Sequence, residues 1–174
     1  MKIKCIETGY LRENCYIVEN NSSCIVIDPG DDFLKIEKNI EKPVVAVFVT
    51  HRHFDHIGAL DKVLSKYKCA LYDRETSMEK EYQIDGFQFK IIFNPGHSKD
   101  SISFYFYKEK IMFVGDFIFK NNIGRCDLEG GSFSEMMKSI KKIKEYDDDI
   151  AIYPGHGPST TLIEEKGKNI YFNM

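Results

Sequence analysis

Four short segments hold the side chains of this sequence best suited to metal chemistry. His51-Arg52-His53-Phe54-Asp55-His56 carries four metal-capable groups in six residues, and His97, Asp116 and His156 follow in Pro95-Gly96-His97, Gly115-Asp116 and Pro154-Gly155-His156-Gly157. On extended backbone, residues two apart face the same side, so His51 and His53 can share one ion, which His97 would complete. Asp55 and His56 come where the chain turns into a helix and can reach a second ion. His156 would complete that second set, and Asp116 offers a carboxylate able to bridge the two. The chain has five histidines, and every one lies in these segments. A single such histidine is more often an ordinary hydrogen-bonded residue than a ligand, but five together leave none for incidental use. Structural zinc sites usually close with four Cys or His ligands, whereas this set, with seven ligands including two carboxylates, suits open coordination. Imidazole and carboxylate without thiolate fit two Zn2+ ions, and Fe or Mn fit as well.

An apolar strand feeds each segment: VVAVFVT leads into His51, KIIFNPG into His97, IMFVG into Asp116 and IAIYPG into His156. Rigid strands ending at one sheet edge fix loop residues in space, which makes one site of all four segments. Upstream, Ile3 to Thr8, Cys15 to Glu19 and Cys24 to Asp28 read as strands of an antiparallel meander, with Glu13-Asn14 and Asn20-Asn21-Ser22-Ser23 as turns. Asp31 is placed to cap a helix from Asp32 to Glu41, before Pro43 returns the chain to extended form. Val44 to Thr50 is a β-branched, apolar strand of the kind buried on both faces. A helix from about Ile57 to Lys66 follows, then strands at Cys69 to Tyr72, Phe87 to Phe93, Ser101 to Tyr107, Ile111 to Val114 and Asp149 to Tyr153. Ser134 to Tyr146 reads as a helix that Ser132 or Ser134 can cap, and Thr160 to Met174 as a short helix or turn with an unstructured end. Strands interspersed with helices, without strict alternation, predict an α/β fold of mixed sheets with helices packed outside.

The chain of 174 residues has the size of one domain, expected over residues 1–174. Its net charge of −3, from 24 Lys and Arg against 27 Asp and Glu, supplies no field for phosphate backbones, so nucleic acid is not an expected partner. Lys138, Lys141, Lys142 and Lys144 alternate with Met137, Ile140 and Ile143 at helical spacing, the solvated face of an amphipathic helix. Five cysteines without a C-x-x-C pair fit free thiols in a reducing compartment, hence a cytoplasmic protein. No window approaches the ~18 apolar residues of a membrane span, so no membrane partner is expected and a small molecule is.

In order and spacing the four segments resemble the H-x-H-x-D-H, P-G-H, G-D and G-H signature of the metallo-β-lactamase superfamily, over His51 to Pro158. Gly115 to Phe119, Ile123 to Leu128 and Pro154 to Thr160 are similar to short glyoxalase II-like (hydroxyacylglutathione hydrolase-like) hydrolases. The resemblance implies an αββα sandwich, two mixed β-sheets with helices on the outer faces. It also implies that His51, His53 and His97 bind a first metal, that Asp55, His56 and His156 bind a second, and that Asp116 bridges them. A hydroxide shared by the ions would then attack a thioester such as a hydroxyacyl-glutathione or a related acyl-thiol. Asp55 is the catalytic residue on this reading, orienting the hydroxide or taking its proton. Arg125 is read as pairing with Asp127 to hold its loop, and Lys120, Asn121 and Asn122 border the site.

Two features depart from full-length glyoxalase II. Only 18 residues follow His156, which argues against the helical region that grips glutathione there, and Cys126-Asp127 stands where Thr-Asp is usual. A mono-iron persulfide dioxygenase is the alternative, since that group shares H-x-H-x-D-H and G-R-x-D. It typically reads P-A-H-D at the last segment, where this chain has Pro154-Gly155-His156-Gly157. A lactone or other ester hydrolase would use the same residues, and a β-lactamase proper would carry Cys at the position of Asp116.

Overall fold

The computed structural model describes residues 1–174. Its first sheet comprises β1 (Lys2–Thr8), β2 (Glu13–Glu19), β3 (Cys24–Ile27), β4 (Val44–Phe48) and β5 (Ala70–Tyr72), paired in that order. β1 to β3 form the antiparallel meander, while β4 and β5 are added parallel. Parallel neighbours need crossovers, and these run through α1 (Phe33–Lys38), then α2 (Phe54–Ile57) and α3 (Leu60–Tyr67).

In the second sheet, β6 (Glu81–Ile84), β7 (Phe87–Phe93), β8 (Ile102–Phe106) and β9 (Ile111–Gly115) pair antiparallel in sequence order. A small hairpin, β10 (Ile118–Phe119) with β11 (Asn122–Ile123), leads to α4 (Phe133–Ile143), after which β12 (Ala151–Pro154) lies parallel to β9. β13 (Thr160–Thr161) closes that edge, and α5 (Leu162–Lys168) and a 3-10 helix (Ile170–Asn173) end the chain.

Three apolar clusters hold four layers together. Between the sheets, Tyr16, Ile25 and Phe48 meet Phe89, Phe104 and Phe113. Phe48 stacks on Phe104 with ring centroids 4.4 Å apart, and removing a ring buried this way costs about 3–5 kcal/mol. On the outer face of the first sheet, Val26 and Val47 pack against Ile36, Leu60 and Val63 of the helices. On the outer face of the second, Met112 and Ile152 pack against Met136, Ile140 and Phe172. The result is the αββα sandwich.

Several boundaries differ from the sequence expectation. The helix foreseen over Asp32 to Glu41 is confined to α1: Asp32 precedes it in left-handed backbone (φ 50°) and makes no side-chain cap, and Asn39 ends it. Its carboxylate accepts from Gly9 N instead, at 3.0 Å. The helix foreseen from Ile57 begins at Phe54 and breaks before Leu60, where Ala59 N donates to Pro29 O at 2.9 Å. β6 was not foreseen, although Asp85-Gly86, both at positive φ (43° and 84°), is the turn signature that joins two antiparallel strands. The end of the chain is ordered: Thr161 accepts from Glu164 N to cap α5, Asn169 caps the 3-10 helix, and Phe172 is buried. Ser132, as foreseen, caps α4, and all five cysteines are free.

Candidate metal centre

The loops after β4, β7, β9 and β12 meet at one edge of the sandwich and are tied to one another by backbone. Ile102 N donates to Thr50 O (2.9 Å), Gly155 N to Gly115 O (2.8 Å) and Asn14 N to Gly155 O (2.7 Å). The side chain of Asn14 adds bonds to Pro154 O (3.1 Å) and Gly157 O (2.9 Å), so the meander holds the loop of His156 in place. Position 155 admits only glycine there, since a Cβ would overlap Asp116 Oδ1 and His56 Cε1.

All seven residues singled out in the sequence converge. His51 Nε2 and His97 Nε2 lie 3.0 Å and 2.9 Å from His53 Nδ1. Asp55 Oδ2 lies 3.2 Å from His156 Nε2 and 4.0 Å from His56 Nε2. Asp116 stands between the two groups, with Oδ1 3.4 Å from His56 Nε2 and Oδ2 3.6 Å from both His97 Nε2 and His156 Nε2. Within each of the sets His51/His53/His97, Asp55/His56/His156 and His51/His56/Asp116, the donor atoms lie within 4.8 Å of one another.

Outer hydrogen bonds decide which nitrogens face inward. A carbonyl only accepts, so the 2.8 Å contact of His97 Nδ1 with Arg125 O puts the proton on Nδ1 and a lone pair on Nε2. His56 Nδ1 donates to Asp28 Oδ2 at 3.0 Å, which makes Nε2 the nitrogen that faces inward. Thr50 Oγ1 gives its proton to Asp28 Oδ2 (2.6 Å) and therefore accepts from His51 Nδ1 (3.1 Å), which turns the lone pair of His51 Nε2 inward too. Such outer partners fix the tautomer of ligating imidazoles. His53 Nδ1 can donate to only one of the two lone pairs it faces. His56 Nε2 and Asp116 Oδ1 are buried without any hydrogen-bond partner. Each orphan of that kind costs about 1–3 kcal/mol, and a cation among them removes the cost.

The electrostatics agree. Burial and the neighbouring imidazoles hold His51 well below the usual histidine range, so it is neutral. Burial opposes a charge on His56, yet the carboxylates of Asp28 and Asp116 outweigh it and raise its pKa well above the usual value. The centre thus attracts positive charge into a buried place.

Sequence reasoning missed the outer residues. Asp28 follows β3 in left-handed backbone (φ 46°) and, besides His56 and the Thr50 hydroxyl, accepts from Thr50 N at 2.7 Å. Glu13, read as part of a turn, is fully buried in β2. It accepts from Thr8 Oγ1 at 2.8 Å and lies 3.9 Å from His56 Nδ1, and burial raises its pKa well above the usual carboxylate range. The only local signals were Asp before Pro29-Gly30 and Glu before Asn14, both of which also spell turns. Arg125 does hold Asp127 in two bonds of 2.7 and 2.8 Å, keeping that carboxyl at about 2. Above these candidate ligands opens a cleft of about 1250 Å³, with His53, Asp55, His97, Asp116 and His156 among its lining.

The family model described as the metallo-beta-lactamase superfamily matches residues 8–75 and 71–156. A probable metallo-hydrolase of Streptococcus pyogenes is 31% identical, covering 92% of this chain and 86% of the relative. A hydroxyacylglutathione hydrolase of Haemophilus influenzae is 28% identical over 99% of both chains. Among solved structures, that of BLEG-1 B3 metallo-beta-lactamase superposes with a TM-score of 0.93 at 30% identity, over 99% of this chain and 100% of that one.

Proposed function

Because this chain belongs to the metallo-beta-lactamase superfamily, we propose that it is a binuclear metal-dependent thioester hydrolase with Asp55 as its proton-handling residue. The observation that carries the reading is the complete second donor set: Asp55, His56 and His156 converge beside a carboxylate, Asp116, that faces both sets. One ion is assigned to His51, His53 and His97, the other to Asp55, His56 and His156, with Asp116 shared. The donor chemistry favours Zn2+, with Fe or Mn also suited. Two bound divalent ions polarise a carbonyl and make water nucleophilic at neutral pH. The free thiols fit a cytoplasmic setting.

Burial works against the charge on Asp55, but its hydrogen bond to His156 and the nearby charge of His56 hold its pKa below the usual carboxylate value. It is therefore ionised at neutral pH, within reach of the cleft, and able to orient water and take its proton. Asp28, Thr50 and Arg125 O keep the imidazole lone pairs inward throughout. Support for a thioester comes from the Haemophilus influenzae relative, a hydroxyacylglutathione hydrolase by name. The likeness to BLEG-1 favours a second reading, opening of a β-lactam amide, which needs the same attack on a carbonyl carbon, although Asp116 stands where Cys is expected of a β-lactamase.

The test is turnover by metal-loaded protein of a thioester panel that includes S-lactoylglutathione, beside a β-lactam and an Asp55→Asn control. Thioester loss that vanishes in the control supports the proposal. Turnover of the β-lactam alone selects the second reading, and one bound iron with oxygen uptake on a persulfide selects the dioxygenase.

A further inference from the structure

The cleft has one apolar wall that neither the fold nor the metal centre requires. Tyr10, at the tip of the β1–β2 turn, stacks on Phe54, the first residue of α2, with ring centroids 6.3 Å apart and planes 20° from parallel. These rings remain 80% and 63% exposed, and Leu11 beside them is 43% exposed. Large apolar side chains scattered singly over a surface need no explanation, but a cluster at the mouth of a catalytic cleft marks where a ligand is covered. A recess of about 260 Å³ opens beside this wall: Tyr10, Leu11, Phe54 and Asp55 line both it and the main cleft, and Thr8, Asp31 and three glycines complete its lining.

The wall is preorganised. Arg12 N closes the turn on Gly9 O at 3.3 Å, and Gly9 N anchors it to Asp32 Oδ2 at 3.0 Å. Phe54 stands between His53 and Asp55, so its position is fixed relative to the centre.

The charged lining points the same way. Three basic side chains reach the cleft, Arg52, Lys99 and Arg125, beside Glu75, Asp100 and Glu129. Arg52 is taken up by Asp73 and Glu75, and Arg125 by Asp127. Lys99 alone stands outside any ion pair. Gripping a thiol that carries several carboxylates calls for several free cations, Arg forks above all.

Resting on the thioesterase reading above, we propose that the substrate is a thioester bearing an uncharged alkyl or aryl group, which lies against Tyr10, Leu11 and Phe54 and enters the recess beside them. In the reaction water forms the new C–O bond, the C–S bond breaks, and the products are a carboxylate and a thiol, with Asp55 handling the proton of the water. The apolar arm stays bound while the carbonyl is held over Asp55 and Asp116.

The experiment measures kcat/KM for acetyl, hexanoyl and phenylacetyl thioesters of N-acetylcysteamine, and for acetyl thioesters of N-acetylcysteamine and benzyl mercaptan, with S-lactoylglutathione as the charged comparison. Burying several methylenes against a partly exposed wall predicts a preference of about tenfold or more for the apolar member of at least one series. The preference falls several-fold in Tyr10→Ala with bound metal unchanged. Equal kcat/KM across both series, or a preference that Tyr10→Ala leaves intact, overturns the inference while the thioesterase reading stands. Absence of turnover on every thioester by a protein holding two ions overturns both.

Discussion

Nδ1 of His56 donates to Asp28 at 3.0 Å, and that contact decides which nitrogen of the ring faces the candidate metal centre. Asp28 belongs to neither proposed ligand set, yet it also accepts the Thr50 hydroxyl's hydrogen bond and so fixes His51 as well. Asp28→Asn keeps the shape but offers an amide that can donate where only acceptance works. Loss of such an outer partner costs about 10–100-fold in metal affinity. Competition with a chelator of known affinity measures it, with circular dichroism confirming the fold, and unchanged affinity would refute the role.

Glu165 is a buried carboxylate that accepts from Thr160 Oγ1 (2.7 Å), Asn121 N (2.9 Å) and Asn169 Nδ2 (2.7 Å). Asn169 also donates to Asn122 O at 2.9 Å, so α5 braces the β10–β11 hairpin. That hairpin carries Phe119 and Ile123 into the cleft and precedes Arg125, whose carbonyl orients His97. Glu165→Ala orphans several buried donors and is expected to destabilise the fold by about 3 kcal/mol. Denaturant unfolding reads the change, and a loss within experimental scatter would mean the brace is idle.

Cys5 is an exposed residue whose thiol donates to Asn14 Oδ1 at 3.4 Å in a partly buried contact. Burial first, then the charges of Glu13 and Glu7, push its thiol up to about 11. With the folded value raised, its contribution to stability is complete below the ordinary thiol value and is lost as pH rises through about 11. Thiolate is the reactive form. Alkylation by iodoacetamide, followed by mass spectrometry, should therefore be slower at pH 8 than for a free cysteine and climb towards pH 11. A rate at pH 8 equal to that of a short cysteine peptide would contradict the assignment.

The chemistry-bearing segments were legible because each follows an apolar strand, and strand ends are what a sandwich brings to a common edge. The layers were legible for the same reason, from the runs VVAVFVT, KIIFN, IMFVG and IAIYP. Asp28 and Glu13 were not, since their local sequence also spells turns and their role depends on His56, which reaches them only through tertiary packing. β6 was missed because Glu81 to Ile84 is an edge strand with half its side chains in water, although Asp85-Gly86 marked the turn. The capped α5 was underread because Gly167 weakens its helical pattern, while Thr161, Leu162 and Phe172 anchor it through capping and burial.

Metal content by inductively coupled plasma mass spectrometry, on the purified wild type and on Asp116→Ala, decides whether two ions share Asp116. Two donor sets sharing Asp116 should give about two equivalents of divalent metal in the wild type, and a joint loss of metal and hydrolytic activity in the variant, because the shared carboxylate serves both. A wild type that takes up only one ion at saturation, or a variant that keeps its full complement, would rule out a binuclear centre bridged by Asp116.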